Sequence, residues 1–409
     1  MYSLAIYLYM LCVNIAVLFN KKARLLRAGH AKTYKTLRRK IKPGEQYLWF
    51  HAASLGEFEQ GRPLIEKIRR QCPQYKILLT FFSPSGYEVR KDYEGADVCC
   101  YLPFDTMLNA RKFIRLTHPK MAFFIKYEFW QNYITELHRQ GIPTYSVASI
   151  FRPGQIFFRW YGHKYRNVLR CFTHLYVQNQ QSVSLLKGLG IDNATVVGDT
   201  RMDRVLQIKE ASADLPLCEA FLQSLPQEGH VIVAGSSWPP DEDILIDYFN
   251  NHSEQHLILA PHVVNEQHLA EIENKLRRPS VRYSKATPET AQKAHCLIID
   301  CYGLLSSIYR YAGVAYVGGG FGTGIHNVPE AAVYGIPVII GPNNRRFREA
   351  RELIDLGGCF EIRNSQDYIA IITHLTTHKD SLERASQVSH DYICANAGAV
   401  EKIYNHIFG

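Results

Sequence analysis

Residues 313–342 read GVAYVGGGFGTGIHNVPEAAVYGIPVIIGP, and this stretch decides the fold. Val314 to Val317 is a short apolar run of the kind that forms a buried strand. Gly318, Gly319, Gly320, Gly322 and Gly324 follow within seven residues. Pro329 stands where a helix begins, Glu330-Ala331-Ala332 continues it, and Gly335 ends it. A second apolar run, Ile336 to Ile340, leads into Gly341-Pro342. Strand, glycine loop, helix start and strand is how an α/β protein presents a phosphate site. Glycine lets the backbone approach an anion, and the unpaired N–H groups of a helix start point toward it. His326, Asn327 and Glu330 add polar groups where the phosphate and ribose of a nucleotide would lie.

Working outward, the same alternation recurs along the chain. Apolar runs at 47–51, 76–82, 120–125, 143–148 and 173–177 read as strands, each followed by a helix-like segment. So do 231–234, 256–260, 296–299, 314–317 and 336–340. Strands alternating with helices of 10–15 residues predict doubly wound parallel sheets. A chain of 409 residues exceeds what one core serves, so two domains are expected. The composition change around 198–213 marks the expected linker. The expected domains are 43–204 and 205–395, with 1–42 ahead of them and a final helix, 396–409, expected by analogy of fold to return to the first domain.

Charge is concentrated in one place. Between residues 21 and 42 lie ten Lys and Arg and no acid; without them 37 basic residues face 38 acidic ones. A nucleic-acid binder spreads its charge over a folded face, so no nucleic-acid partner is expected. The preceding MYSLAIYLYMLCVNIAVLF is broken only by Ser3 and Asn14. Its charges follow the apolar run, the reverse of a signal peptide. At close to the roughly 20 residues that span a bilayer, it reads as a membrane-associated helix backed by bases that favour anionic headgroups. A helix packed on the domain, or lying in the interface, is the alternative. Ten scattered cysteines without a CxxC pair read as reduced thiols, with no zinc site.

Strand-end residues are where ligands bind in such sheets. Glu57 follows the first strand, behind Ser54 and Gly56, where a carboxylate can accept a hydroxyl proton or simply cap a helix. Its neighbour Glu59 reads as solvated. Glu128 leaves another strand end, and Ser83 and Ser85 offer small hydroxyls to an anion or to a turn. In the second half Ser236 and the pair Pro261-His262 repeat the pattern. His252 and His256 have helical spacing but no metal-site context, and no paired acids suggest a bound metal.

The ordered set His51–Glu57, Ser83–Gly86, Glu128–Asn132 and His326–Glu330 resembles the 3-deoxy-D-manno-octulosonic acid (Kdo) transferases. The resemblance covers nearly the whole chain. It implies a GT-B fold, two facing Rossmann-like doubly wound domains. It implies an inverting glycosyltransferase that moves Kdo from CMP-Kdo to a lipid A precursor, lipid IVA, in lipopolysaccharide synthesis. The place implied is the cytoplasmic side of the bacterial inner membrane, reached through residues 1–42, and no cofactor or metal is implied. The family's catalytic base falls on Glu57, with Ser54, Gly56, Ser83, Ser85, Glu128 and Arg201 on the acceptor and donor side. CMP contacts fall on Ser236, Pro261, His262, Gly303, Leu304, Leu305, Gly320, Asn327, Val328, Pro329 and Glu330. Lys126, Gln131 and His262 depart from the family's acid, proline and arginine. A GT-B enzyme using a UDP-sugar, or an inactive nucleotide-binding scaffold, remain the competing readings.

Overall fold

A computed structural model describes residues 2–223, 225 and 230–409, except the side chain of Lys164. The chain divides into two compact units, Met1–Arg204 with Ala397–Gly409, and Val205–Asn396.

The first unit carries seven parallel strands: β1 (Tyr47–Ala52), β2 (Lys76–Phe81), β3 (Val98–Tyr101), β4 (Pro119–Ile125), β5 (Thr144–Ser149), β6 (His174–Val177) and β7 (Ala194–Val196). Their order is β3-β2-β1-β4-β5-β6-β7. Every residue of β1 is buried, as a strand covered by helices on both faces requires. Trp49 faces one core with Phe113 and Phe124, while Phe50 stacks on Phe123 at 4.4 Å in the other.

The second unit holds β8 (His230–Ser237), β9 (Gln255–Pro261), β10 (Ser280–Arg282), β11 (Cys296–Ile298), β12 (Val314–Val317), β13 (Val338–Ile340) and β14 (Cys359–Glu361). Their order is β10-β11-β9-β8-β12-β13-β14, again parallel. The order turns back between β1 and β4 in the first sheet and between β8 and β12 in the second, where β10 also lies outside β11. Loops leaving the carboxyl ends of those strands border a crevice, the binding position of open α/β sheets. The residues singled out after β1, β4, β8 and β12 all leave from these two places.

Four strands have no counterpart among the ten apolar runs: β3, β7, β10 and β14. All four are sheet edges of three or four residues. An edge strand has one neighbour, so its sequence needs no long apolar run.

At the N-terminus, α1 (Tyr2–Ala16) and α2 (Lys21–Lys40) meet at a bend of 119°. They belong to the first unit rather than standing apart from it. The Thr33 hydroxyl donates to Tyr101 O at 2.9 Å, and Val13, Leu26 and Tyr101 form a small core. No single helix among the described residues is long and apolar enough to cross a membrane.

The expected linker at 198–213 is instead mostly helix. Thr200–Ala211 is one continuous element, and the boundary between the units falls inside it. The final helix, Ala399–Phe408, buries Ala399, Val400 and Ile403 in the Phe50 core. Gly398 N–H also donates to Asp203 at 3.0 Å in the first unit.

Candidate functional sites

In the first unit β1 ends at Ala52 and Ser54 begins α3 (Leu55–Gln71). Glu57 lies in the first turn, where its carboxylate accepts the Ser54 backbone N–H at 3.1 Å. Gly56 beside it has open space where a side chain would project. After β4, Lys126 adopts φ 67, a conformation a non-glycine residue rarely takes. It is held there by its N–H to Val147 O at 2.7 Å and by the Ser149 hydroxyl on its carbonyl at 2.6 Å. Glu128 then reaches His51 of β1, Oε2 to Nε2 at 3.2 Å, and the same oxygen accepts the indole N–H of Trp130.

At Glu57 two electrostatic effects oppose one another. A helix start alone would keep Glu57 at a low pKa. Here burial pushes it above the ordinary carboxylate value and the charge of Glu128 adds to that, against His51 and the Ser54 and Ala53 N–H groups. Desolvation and a like charge outweigh the helix start.

Glu59 is not simply solvated either: it meets Arg62 at 3.6 Å, Arg90 at 2.8 Å and Arg204 at 3.4 Å. Ser83 and Ser85 are bound to each other, Oγ to Oγ at 3.0 Å, and Ser83 caps α4 (Pro84–Arg90). Their turn does the structural job that the sequence also allowed. Arg201 pairs with Asp199 at 2.6 Å.

In the second unit, the glycine loop packs on its neighbours by backbone contact. A Cβ on Gly318 would stand 2.4 Å from Ser236 O, and one on Gly320 would stand 2.5 Å from the Gly341 Cα. Close packing therefore demands these glycines before any anion does. Several loop N–H groups are also used internally. Gly318 donates to Gly235 O at 2.9 Å, Gly319 to Asp241 at 2.9 Å, and Gly322 and Gly324 to Gly319 O. Buried Asp241 also accepts Tyr316 OH at 2.7 Å and Trp238 N–H at 2.9 Å.

The helix at Pro329 is a single turn, Pro329–Ala332, shorter than the run to Gly335 suggests. Val328 and Pro329, at its start, are buried. Glu330 is fixed by Asn327 Nδ2 at 2.7 Å and by Ser306 Oγ at 3.1 Å. Ser306 is placed by the turn at Gly303-Leu304-Leu305, where Gly303 has φ 95. Ser236 closes β8 at φ 53. Past Pro261, His262 stacks on Trp238 (4.7 Å) and meets His326 (4.5 Å), while the Trp238 indole N–H donates to His326 Nε2 at 3.3 Å. Thus every residue expected at the nucleotide site lies at the carboxyl end of β8, β9, β11 or β12 or in the segment that follows it.

Comparison with known proteins decides what such a pair of units belongs to. Residues 24–204 match the family model described as 3-Deoxy-D-manno-octulosonic-acid transferase (kdotransferase). The 3-deoxy-D-manno-octulosonic acid transferase of Aquifex aeolicus is 26% identical over 82% of this chain and 88% of its own. That of Rickettsia felis is 26% identical over 82% of this chain and 73% of its own. Over residues 24–204 the chain carries the Kdo transferase domain, and it is similar to these transferases over most of its length. It is therefore a glycosyltransferase by class. Its fold is shared with the UDP-GlcNAc 2-epimerase of Neisseria meningitidis, at a TM-score of 0.61 and 13% identity over 88% of this chain and 99% of that one. Within this transferase, reading the sequence missed His51, Asp241, Trp238 and Ser306 as site residues. His51 lies inside the quoted motif, but a strand histidine carries no local sign of its partner. Among the described residues, no three His, Cys, Asp or Glu side chains converge as a metal site.

Proposed function

We propose that this enzyme transfers Kdo from CMP-Kdo to a lipid A precursor of the lipid IVA type, with inversion and without a metal. The observation that carries the reading is Glu57, a carboxylate held at the β1 end by the Ser54 N–H in a domain that matches this family. Glu57 takes the proton of the acceptor hydroxyl. The hydroxyl oxygen bonds to the anomeric carbon of Kdo as the bond to the CMP phosphate breaks, and the electron pair leaves with the phosphate. Ser236 and His262 are the groups proposed to meet the phosphate charge, with Asn327 and Glu330 on the nucleoside.

The lipid acceptor implies a membrane surface, and α1 suits one. Leu4, Leu8, Leu11 and Ile15 are each more than half exposed, spaced along one face of the helix. Fifteen residues rise only about 22 Å, short of the roughly 30 Å hydrocarbon layer, so α1 lies in the interface instead of crossing. The bases of α2 draw it to anionic headgroups.

Incubation with CMP-Kdo and tetra-acylated lipid A precursor, followed by mass spectrometry, tests the proposal. The expected product gains one or more Kdo units and CMP is released. No product from CMP-Kdo, with transfer from a UDP-sugar, would replace the donor assignment.

A further inference from the structure

One loop of the first unit sorts its apolar side chains into an inner and an outer set. It leaves the carboxyl end of β5 after Ser149 and forms two short 3₁₀ turns, Ile156–Phe158 and Trp160–Gly162. Phe151 and Phe157 turn inward: both are buried, and the Phe129 ring packs on them at 5.6 and 5.1 Å. Ile156, Trp160 and Tyr161 turn outward, at 37%, 87% and 55% exposure. Among the described residues between 109 and 262, no other large apolar side chain is exposed to this degree. Apolar residues scattered singly over a surface need no partner, but a group of them on one loop makes a patch that meets one.

The backbone holds the patch outward. Arg166 Nε donates to Phe157 O at 2.8 Å and its Nη2 to Arg159 O at 3.1 Å. The chain passes itself so closely that a Cβ on Gly162 would stand 1.7 Å from Ile156 O.

The surrounding charge is of one sign. Residues 137–191 include seven Lys and Arg and no Asp or Glu. Arg152, Arg159 and His163 flank the aromatic pair and are exposed. Among the described residues neither arginine meets a carboxylate. Arg152 donates to Tyr127 Oη at 3.2 Å and Arg159 to Gly154 O at 3.4 Å, both neutral. Indole and phenol rings settle at the boundary between hydrocarbon and headgroups, where bases meet lipid phosphates. An uncompensated basic rim around Trp and Tyr suits that anionic surface and repels a basic partner.

Position adds an independent observation. In the first sheet β2, β1, β4 and β5 are consecutive, three spacings or about 14 Å across. On the β2 and β3 side, α1 packs Tyr9 on Phe82 at 6.2 Å and on Phe104 at 5.9 Å, just past the ends of those strands. On the β5 side stands the loop. Glu57 and Glu128, past β1 and β4, lie between them. The open leucines of α1 and the open rings of the loop therefore flank one site from either side.

We propose that the loop Arg152–His163 is a second membrane contact, in which Trp160 and Tyr161 enter the headgroup boundary of an anionic bilayer and Arg152 and Arg159 meet lipid phosphates. Together with α1 it turns the carboxyl end of the first sheet toward the lipid, so that a hydroxyl of a membrane lipid reaches Glu57 at the surface. It rests on the membrane reading of α1 only for this orientation. Two weak contacts on one compact unit act together, and losing either removes most of the attachment.

The test uses the full chain and vesicles without lipid A precursor, made of phosphatidylcholine alone or mixed with phosphatidylglycerol. Wild type is compared with Trp160→Phe, with Trp160→Ser/Tyr161→Ser and with Arg152→Gln/Arg159→Gln, each checked for folding by circular dichroism. The fluorescence that Trp160→Phe lacks belongs to Trp160. In wild type it should shift to the blue on vesicles and be quenched by lipids brominated near the headgroup. Removing both rings should weaken vesicle binding about 10–100-fold. Removing both bases should weaken it about 10–30-fold, on the anionic vesicles alone. An unquenched Trp160 in bound wild type overturns the proposal and leaves α1 as the contact. A wild type that binds no vesicles defeats the membrane reading of α1 as well. Dimers lost in the ring variant would give the loop to a second copy, and binding only after lipid A precursor is added would give it to the acceptor; either result overturns the proposal. No readout requires Kdo transfer, so the donor and acceptor assignments stand or fall separately.

Discussion

Replacing Glu57 by Gln removes the base and little else. Gln keeps a carbonyl oxygen where the carboxylate accepts the Ser54 N–H, so the α3 start retains its partner. Losing a negative charge in a first helical turn costs about 0.3–1 kcal/mol. Relief of the Glu128 repulsion and of the buried charge works in the opposite direction. Net stability should therefore change by no more than about 1 kcal/mol, small against the 5–15 kcal/mol that folds a typical domain. General base catalysis typically supplies ~10²–10⁴-fold, or about 3–5 kcal/mol of barrier. Glu57→Gln should lose that much kcat while remaining folded and binding CMP as before. Glu59→Gln is the control: it is on the same helix but tied to Arg62, Arg90 and Arg204, and such part-exposed pairs contribute about 0–1 kcal/mol each. Turnover with CMP-Kdo, CMP titration calorimetry and circular dichroism of both variants make the comparison. Full turnover in Glu57→Gln refutes the assignment and moves the base to Glu128. Equal losses in both variants show a disturbed helix instead of a missing base.

Three further outcomes are expected. Glu330→Ala removes the acceptor of Asn327 and Ser306, and CMP affinity should fall by about 1–3 kcal/mol in titration calorimetry; unchanged affinity makes Glu330 structural. Changing Leu8, Leu11 and Ile15 of α1 together to Ser should abolish co-sedimentation with anionic vesicles in high salt while the fold persists, since each is 55% exposed; continued sedimentation would place the contact elsewhere. His30 packs half-buried against Phe82 and Phe104, and its desolvation lowers its pKa to about 4. The unfolded chain, with a value near 6.5, then binds a proton that the folded one refuses between these limits. Stability is therefore full above about pH 6.5 and declines as pH falls toward 4, by about 2 kcal/mol at pH 5. Urea unfolding of His30→Phe at pH 7.5 and 5 should lack that part of the decline.

Much of this protein is legible along the chain because its signals are local. Both sheets announce themselves through inner strands that must be apolar on two faces, as in YLWFHA of β1. Glu57 and Glu128 can be placed at strand ends by counting residues, and the motifs around them carry the family. The ten bases of residues 21–42 mark a segment suited to an anionic surface before its helix is known.

Other properties arise only when distant residues meet. The edge strands acquire their identity from one neighbour, and the helix Thr200–Ala211 runs through a boundary that composition reads as a linker. Gly318 and Gly320 look like an anion cradle in sequence, yet Ser236 and Gly341 are what exclude a side chain there. The raised proton affinity of Glu57 follows first from burial and then from a carboxylate 71 positions later. Helix starts, apolar runs and turn residues act over a few neighbours, so a linear reading contains them. Desolvation, like-charge repulsion and steric exclusion depend on distances through space, which tertiary folding sets.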